Sequence, residues 1–391
     1  MAVWVPDEEI KIRSNCPHQP PATSHQPPAS SLSTIITEAH YCQFSQISTK
    51  ETMDTRLSLF PLISTILFLS FLPTPSFSRS LATSVRCNKH DYNALMRIKA
   101  ALHNPYHLAS WVPNTDCCDW YSVECDSTTN RIVTLSIFQA NISGQIPEAV
   151  GDLPYLNYVM FHHITNLTGT IPSTLTNLKH LTTLRLSNTN LSGPIPSFLS
   201  QIPSLDFLEL SFNQFSGSIP SSLSSLANLT DLHLDRNSLT GSIPESFGKF
   251  KQPSLSLYLS HNQLSGEIPK SLGDVDFNTI DLSRNMLQGD ASMLFKANGS
   301  TEGIDLSRNH MLEFDLSKVE FAKNLQHLDI SHNKIYGSIP EAITGLDLQY
   351  LNVSYNRLCG KIPQGGKVQN FDSYSFYHNK CLCGSPLTAC K

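Results

Sequence analysis

Apolar residues recur along this chain in a fixed phrase. Leu184-x-Leu186-x-x-x-x-Leu191-Ser192-Gly193-x-Ile195-Pro196 returns as Leu208-x-Leu210-x-x-Asn213-x-Phe215-Ser216-Gly217-x-Ile219-Pro220, a period of 24. Alignment on the Gly position gives Gly144, Gly169, Gly193, Gly217, Gly241, Gly266, Gly289, Glu313, Gly337 and Gly360, with steps of 23 to 25. Ten units at that period predict a solenoid, in which each turn buries its apolar face only against its neighbours. The Leu-x-Leu pair alternates with period two, so each unit opens with a short strand that sends two leucines inward and one residue outward; stacked units make a parallel sheet. Asn213, Asn237, Asn262, Asn285, Asn309, Asn333 and Asn356 form a column four residues before the Gly position. There a buried amide satisfies backbone groups freed as the chain leaves the strand. Ala140, Thr165 and Thr189 hold that column in the earlier units and predict a weaker ladder. Gly relieves the turn, and Ile-Pro directs the chain to the outer side, where a missing amide does no harm.

The first 52 residues have none of this periodicity; prolines sit among Ser, Gln and His, a composition that cannot bury a core. Met53-Asp54-Thr55-Arg56 then leads into the apolar run Leu59 to Leu72, followed by Pro73, Pro75 and the small residues Ser76 and Ser78. That run has the length of a secretory h-region and is short for a membrane span. The expectation is translation from Met53 and a cleaved signal peptide at 53–78, the rival being a true leader with an internal anchor. No later stretch reaches 18 uninterrupted apolar residues, so no membrane anchor is expected in the mature chain. Of the whole chain, 15% is charged and the net charge is -5; without a basic excess, nucleic-acid binding is set aside.

Cys16 and Cys42 fall in the leader. The other eight cysteines form two groups, Cys87, Cys117, Cys118, Cys125 and Cys359, Cys381, Cys383, Cys390, separated by a long cysteine-free stretch. In a secreted chain they read as disulfides at the two ends of the solenoid. Each group permits three pairings. Adjacent Cys117 and Cys118 are poorly placed to join each other, which favours Cys87–Cys117 with Cys118–Cys125, and by the same local logic Cys359–Cys381 with Cys383–Cys390. A zinc site at Cys381-x-Cys383 is the weaker rival, having no spaced His partner.

These residues also carry a family resemblance. The phrase L-x-x-N-x-L-x-G-x-I-P is that of plant extracellular leucine-rich repeats. Asp116-Cys117-Cys118-Asp119-Trp120-Tyr121, the run Asp281-Leu282-Ser283-Arg284-Asn285 followed by Gly289-Asp290-Ala291-Ser292, and the ending Cys381-Leu382-Cys383-Gly384-Ser385-Pro386-Leu387 are similar to polygalacturonase-inhibiting proteins. The resemblance covers about residues 87 to 390 and excludes the leader. It implies an α/β solenoid: a curved, right-handed leucine-rich-repeat superhelix with a concave parallel β-sheet, a second sheet on the LSGxIP side, and short 3-10 and α segments on the convex side. It implies the cap pairing argued above. It further implies a secreted protein of the plant cell wall, monomeric, without catalysis, cofactor or metal, whose concave face inhibits secreted polygalacturonases of fungi, with insects as a second source, and so limits pectin degradation. Pectin contact through basic residues carries over only onto Arg284 and Arg308. The expected organisation is a leader at 1–52, a signal peptide at 53–78, an N-terminal cysteine cap at 79–130, ten repeats at 131–363 and a C-terminal cysteine cap at 364–391.

The outward residue of each strand reads Ser136, Met160 or His162, Arg185, Glu209, His233, Tyr258, Asp281, Asp305, Asp329 and Asn352. Strands lie roughly 4.8 Å apart, so the three aspartates repel one another unless cations sit nearby. The column before the Asn ladder supplies Arg236, His261, Arg284, Arg308 and His332, predicting alternating acid and base stripes in which each Asp keeps a low pKa. A merely solvated face would need no Phe138, Phe212, Tyr258 and Tyr355 beside it, and aromatic and Arg anchors mark interfaces. Phe212, His233, Arg236, Tyr258, Asp281, Arg284, Asp305, Arg308 and Asp329 are therefore the candidate partner-binding residues.

Three rival readings compete with this one. Two stacked aspartates resemble a retaining glycosidase pair, but they stand on an open face beside cations. His162, His163, His233, His261, His327 and His332 lack metal spacing and suggest instead a switch in the mildly acidic wall. A soluble receptor-like ectodomain binding a peptide or partner receptor is the alternative function, opposed by the missing membrane helix and kinase and by the ending one residue after Cys390. Sequons at Asn141, Asn166, Asn190, Asn228 and Asn298 are expected to carry glycans; that at Asn352 lies on the strand face and is expected to stay bare or to mark the end of the usable surface.

Overall fold

The computed structural model describes residues 86–391; the expected leader and signal peptide lie outside the described residues. The chain enters through helix α1, Lys89–Ala101. Asn88 caps it by accepting from the His90 amide, and Ala94, Leu95 and Ile98 bury one face of it under the first turns. Asp116 holds the cap together: its carboxylate accepts from the amides of Arg86, Cys87 and Cys118. Cys87 pairs with Cys117 and Cys118 with Cys125. Trp111 and Trp120 stack between them, 5.6 Å apart.

Ten parallel strands then build one long sheet, from Ile132–Phe138 to Tyr350–Asn352, with Val123–Cys125 closing its head antiparallel. Val159, Leu184, Leu208, Leu232, Leu257, Ile280, Ile304 and Leu328 meet their neighbours in strict register and are buried. Their inward side chains are the core, stacked one leucine-sized layer per turn. The outer side carries short 3-10 turns. Seven of those described start directly after a proline, at Pro147, Pro172, Pro196, Pro220, Pro244, Pro269 and Pro340, where the ring pre-sets φ and no amide is needed.

Between strand and 3-10 turn runs a second parallel sheet through Gln214–Ser218, Ser238–Gly241, Gln263–Glu267, Met286–Gly289 and Met311–Leu312. The Asn ladder separates the two sheets. The amide nitrogen of Asn285 donates to the carbonyls of Leu259, Leu282 and Ser283, at 3.0 to 3.2 Å, and its oxygen accepts from the Leu264 amide at 3.0 Å. One side chain thus meets four backbone groups and ties one turn to the turn before it.

Where Asn is missing, the ladder is replaced and not merely weakened. Tyr158–Gly169 and Thr183–Pro194 each run as one twelve-residue strand through both sheets. β-Branched residues favour that extended course. The register also corrects the assignment of Thr165 to the ladder column. Ile164 pairs with Thr189, and the extra residue of this unit is absorbed between Ile164 and Thr168.

Glu313 breaks the Gly column. Nine of the ten positions are glycines at φ +77° to +119°, and at Gly217 an added Cβ would meet nothing within 4 Å, so conformation and not space demands glycine there. In the unit of Glu313 the left-handed step falls at His310, φ +61°.

The solenoid also continues past residue 363. Phe376 is fully buried in a leucine slot, Asn379 donates to the Val353 and Phe376 carbonyls and accepts from the Leu358 amide, and Cys381–Cys383 pairs with Arg357–Lys361. This is an eleventh turn, clamped by Cys359–Cys381 and Cys383–Cys390. Its signal was the 24-residue step from Gly360 to Gly384, masked because cysteines replace the usual apolar residues.

Candidate functional site on the strand face

Pairing of the strands puts Ser136, Met160, Arg185, Glu209, His233, Tyr258, Asp281, Asp305, Asp329 and Asn352 in one continuous row, each directly beside the next. Met160, not His162, belongs to it; His162 is level with Ser187, whose hydroxyl lies 2.6 Å from its Nδ1. The row changes chemistry along its length. Arg185 and Glu209 form an ion pair at 2.6 Å. His233 stacks on Tyr258, ring centroids 4.3 Å apart. Three carboxylates follow.

Parallel to this row, one residue before the ladder, runs a rim of left-handed residues: Phe212, Arg236, His261, Arg284, Arg308, His332, Tyr355 and His378, all at φ +52° to +58°. A bulky residue in that conformation costs roughly 1 to 2 kcal/mol. Its backbone leaves the period-two alternation, which carries the side chain out of the strand row. Consequently the predicted acid–base striping is absent: among the described residues, Asp281, Asp305 and Asp329 have no ion pair with Arg284, Arg308 or any other cation. The acids form an inner line and the bases an outer one. Arg236 lies over the Phe212 ring at 4.8 Å, and His332, Tyr355 and His378 stack at 4.2 Å spacings.

Without cations between them, the aspartates satisfy themselves locally, each accepting from the amide two residues on, at Ser283, Ser307 and Ser331. Burial, then the charges of Asp281 and Asp329 on either side, push the Asp305 carboxyl up to about 8. The expectation that every Asp of the stack keeps a low pKa is thereby overturned at its centre. At four of the six histidines named for a switch, burial favours the neutral ring. Burial, with Arg236 and Arg284 as flanking charges, lowers His261 to about 4, and burial is the leading cause of lowered values at His162, His327 and His332. His261 therefore stays neutral in mild acid.

Period two also brings a third row to the face, which reading one outward residue per strand missed: Phe207, Asp231, Ser256, Thr279, Gly303, His327 and Tyr350, level with one another. His327 and Tyr350 stack at 4.5 Å, and the Tyr350 hydroxyl donates to Asp329 at 3.2 Å. Burial pushes the Tyr350 phenol up to about 12, so it remains a donor. Asp235, behind His233, accepts from the Ser211 hydroxyl, and burial raises its pKa.

Asn141, Asn166, Asn190, Asn228 and Asn298 are all exposed, off this face. Asn352 is engaged on it: its amide nitrogen donates to Asp329 at 3.4 Å and its oxygen accepts from Ser354.

Parallel strands, an Asn ladder, cysteine caps and a self-contained polar face define a plant-type leucine-rich-repeat protein. A leucine rich repeat N-terminal domain matches residues 88–126, and leucine rich repeat models match 180–202, 204–226, 228–250, 255–275 and 302–358. The chain is 64% identical over 335 residues to a polygalacturonase inhibitor of Vitis vinifera, covering 85% of this chain and 98% of that one. It is 64% identical over 339 residues to a polygalacturonase inhibitor of Pyrus communis, covering 87% of this chain and all of that one. The chain belongs to the polygalacturonase inhibitor family. Among solved structures, that of a plant ice-binding protein superimposes with TM-score 0.76 at 50% identity, covering 78% of this chain and 99% of that one.

Proposed function

We propose that this protein binds and inhibits secreted microbial polygalacturonases, those of fungi first, through the strand face. Membership of the inhibitor family carries the proposal. The face supports it in chemistry. An inner line of carboxylates beside an outer line of guanidinium and aromatic groups can meet an enzyme cleft shaped to hold a polyanion, whose walls are basic, and the surface around it. The rim keeps Arg236, Arg284, Arg308 and Phe212 on left-handed backbone at an energetic cost, which points to a use beyond packing. Phe212, His233, Arg236, Tyr258, Asp281, Arg284, Asp305, Arg308 and Asp329 are the contact residues in this reading, with Arg284 and Arg308 also free to meet pectin carboxylates. The purified chain should slow a panel of fungal polygalacturonases in a reducing-sugar assay; no inhibition of any member would refute the reading.

The same reading places the protein in the cell wall as a glycosylated monomer made from Met53. None of the described helices is long and apolar enough to cross a membrane. N-terminal sequencing of the secreted product should begin between about Ser78 and Arg86; a product retaining residues 1–52 would refute it.

A further inference from the structure

We propose that the stacked pair His327 and Tyr350 is a further contact of the strand face, one that takes an arginine side chain of the partner enzyme, and that Asp329 serves it as a positioning residue. The proposal rests on the inhibitory reading above and adds two contact residues to it.

Tyr350 is constrained at both ends and still open. Its ring lies 8° from parallel to that of His327, with centroids 4.5 Å apart, and its hydroxyl donates to Oδ2 of Asp329 at 3.2 Å. The residue is nevertheless 41% exposed. The repeat dictates this placement. His327 and Tyr350 stand two residues before Asp329 and Asn352 in consecutive strands, so the register that lines up the inner row also brings the two rings together. A side chain ordered before binding forfeits little rotamer freedom when a partner covers it, and exposed tyrosines held in this way carry much of the energy of an interface.

Asp329 differs from the other two acids of its row. It is 8% exposed, and both of its oxygens are engaged: Oδ1 accepts from the Ser331 amide at 2.9 Å, and Oδ2 accepts from the Tyr350 hydroxyl and, at 3.4 Å, from the Asn352 side-chain amide. Little of it is left for a partner to touch. What it supplies is a fixed direction for the phenol and a negative charge behind it. With its proton aimed at Asp329, the phenol oxygen keeps lone pairs for an outside donor. The ring face turned away from His327 presents the negative side of the aromatic quadrupole. Among the described residues, no cation of this chain is ion-paired with Asp329. Charge therefore selects a cation from outside. A guanidinium meets both demands, because it can lie flat on the ring and donate to an oxygen at its edge.

Inhibition kinetics against a fungal polygalacturonase that the parent inhibits, read beside a titration of the free chain, test the proposal. His327→Ala with Tyr350→Ala should weaken inhibition about thirtyfold or more. The loss should appear as faster dissociation, with association, which long-range charge governs, nearly kept. Tyr350→Phe keeps the ring and loses the hydroxyl, and about tenfold is expected. That change should cost nothing further in an Asp329→Asn background, because hydroxyl and carboxylate act as one unit. His327→Lys puts a cation beside the ring and should inhibit no better than His327→Ala. In the free chain the Tyr350 phenol is pushed up to about 12 by burial and then by the Asp329 charge, so Asp329→Asn should bring its titration down. Should the double alanine variant melt lower than the parent, Tyr350→Phe and its cycle with Asp329→Asn decide alone. The proposal is overturned if the ring variants inhibit like the parent, if the two cycle effects add, if His327→Lys inhibits better, or if the phenol titrates unchanged in Asp329→Asn. A parent that inhibits no polygalacturonase defeats the inhibitory reading and the contact with it, while the phenol titration still judges the positioning by Asp329.

Discussion

Asp305 shows how one position on a repeat differs from its neighbours of identical type. It stands between two carboxylates in register, with no cation to relieve it, and its carboxyl is pushed up to about 8, whereas an unfolded chain would titrate it near 3.9. Between those values the native state holds a proton that the unfolded state has released, so stability falls as pH rises from about 4 to about 8. Asp305→Asn removes that burden. We expect the variant to be more stable than the parent at pH 8 by on the order of 1 to 3 kcal/mol, and nearly equal at pH 4. Urea melts at the two pH values measure it; equal gains at both would show that Asp305 ionises like an exposed acid. In contact with a partner at mildly acid pH, the neutral Asp305 is a hydrogen-bond donor, flanked by two acceptors. That role was not legible in the sequence. Counting Arg284 and Arg308 as neighbours was correct along the chain, but left-handed φ angles move them to another line.

At the scale of the element, the repeat was legible because its geometry depends on few residue types. Asn and Gly columns mark where the chain must leave the strand and turn, and leucines mark the layer they cover. The failures share one cause, which is counting from a single landmark. Counting back from Gly169 placed Thr165 in the ladder, although the extra residue lies after Ile164. Stopping at the last leucine phrase missed the turn built on Phe376 and Asn379. Reading one outward residue per strand missed the third row, and with it Tyr350 and its stacking on His327. The ladder itself makes a direct prediction. Asn285→Ala strands the carbonyls of Leu259 and Leu282 and the amide of Leu264 in a buried site. Each unsatisfied buried group costs about 1 to 3 kcal/mol, so a loss of roughly 2 to 4 kcal/mol is expected by chemical denaturation. Thr189→Ala lies where the Leu191 amide has a second acceptor in Asn213 and should cost less. Equal losses would mean that the amide column is ornamental to stability.

Over the whole molecule, the two charged lines make the face directional, and this separates an interface from a solvated surface. If the inner acids meet basic cleft residues, Asp281→Lys with Asp329→Lys should abolish inhibition; Asp329 is 8% exposed and accepts from the Tyr350 hydroxyl, so the comparison uses the double variant if its melting temperature is kept and Asp281→Lys alone if it is not. The loss of a desolvated charge partner costs about 2 to 5 kcal/mol, or roughly thirtyfold to several-thousandfold in affinity. Arg284→Glu with Arg308→Glu tests the rim separately, since those two side chains lie on a different line and contact a different part of the partner. Lys249→Glu with Lys251→Glu changes charge by the same amount on the 3-10 side, where both are exposed, and should alter inhibition little. Salt gives an independent handle, because at 1 M the Debye length shrinks to about 3 Å and steering between the two surfaces weakens. Inhibition constants for the three double variants at low and high salt, read beside their melting temperatures, decide the matter. If both face variants inhibit like the parent with unchanged melting temperatures, the charged lines are solvated and the enzyme is held elsewhere.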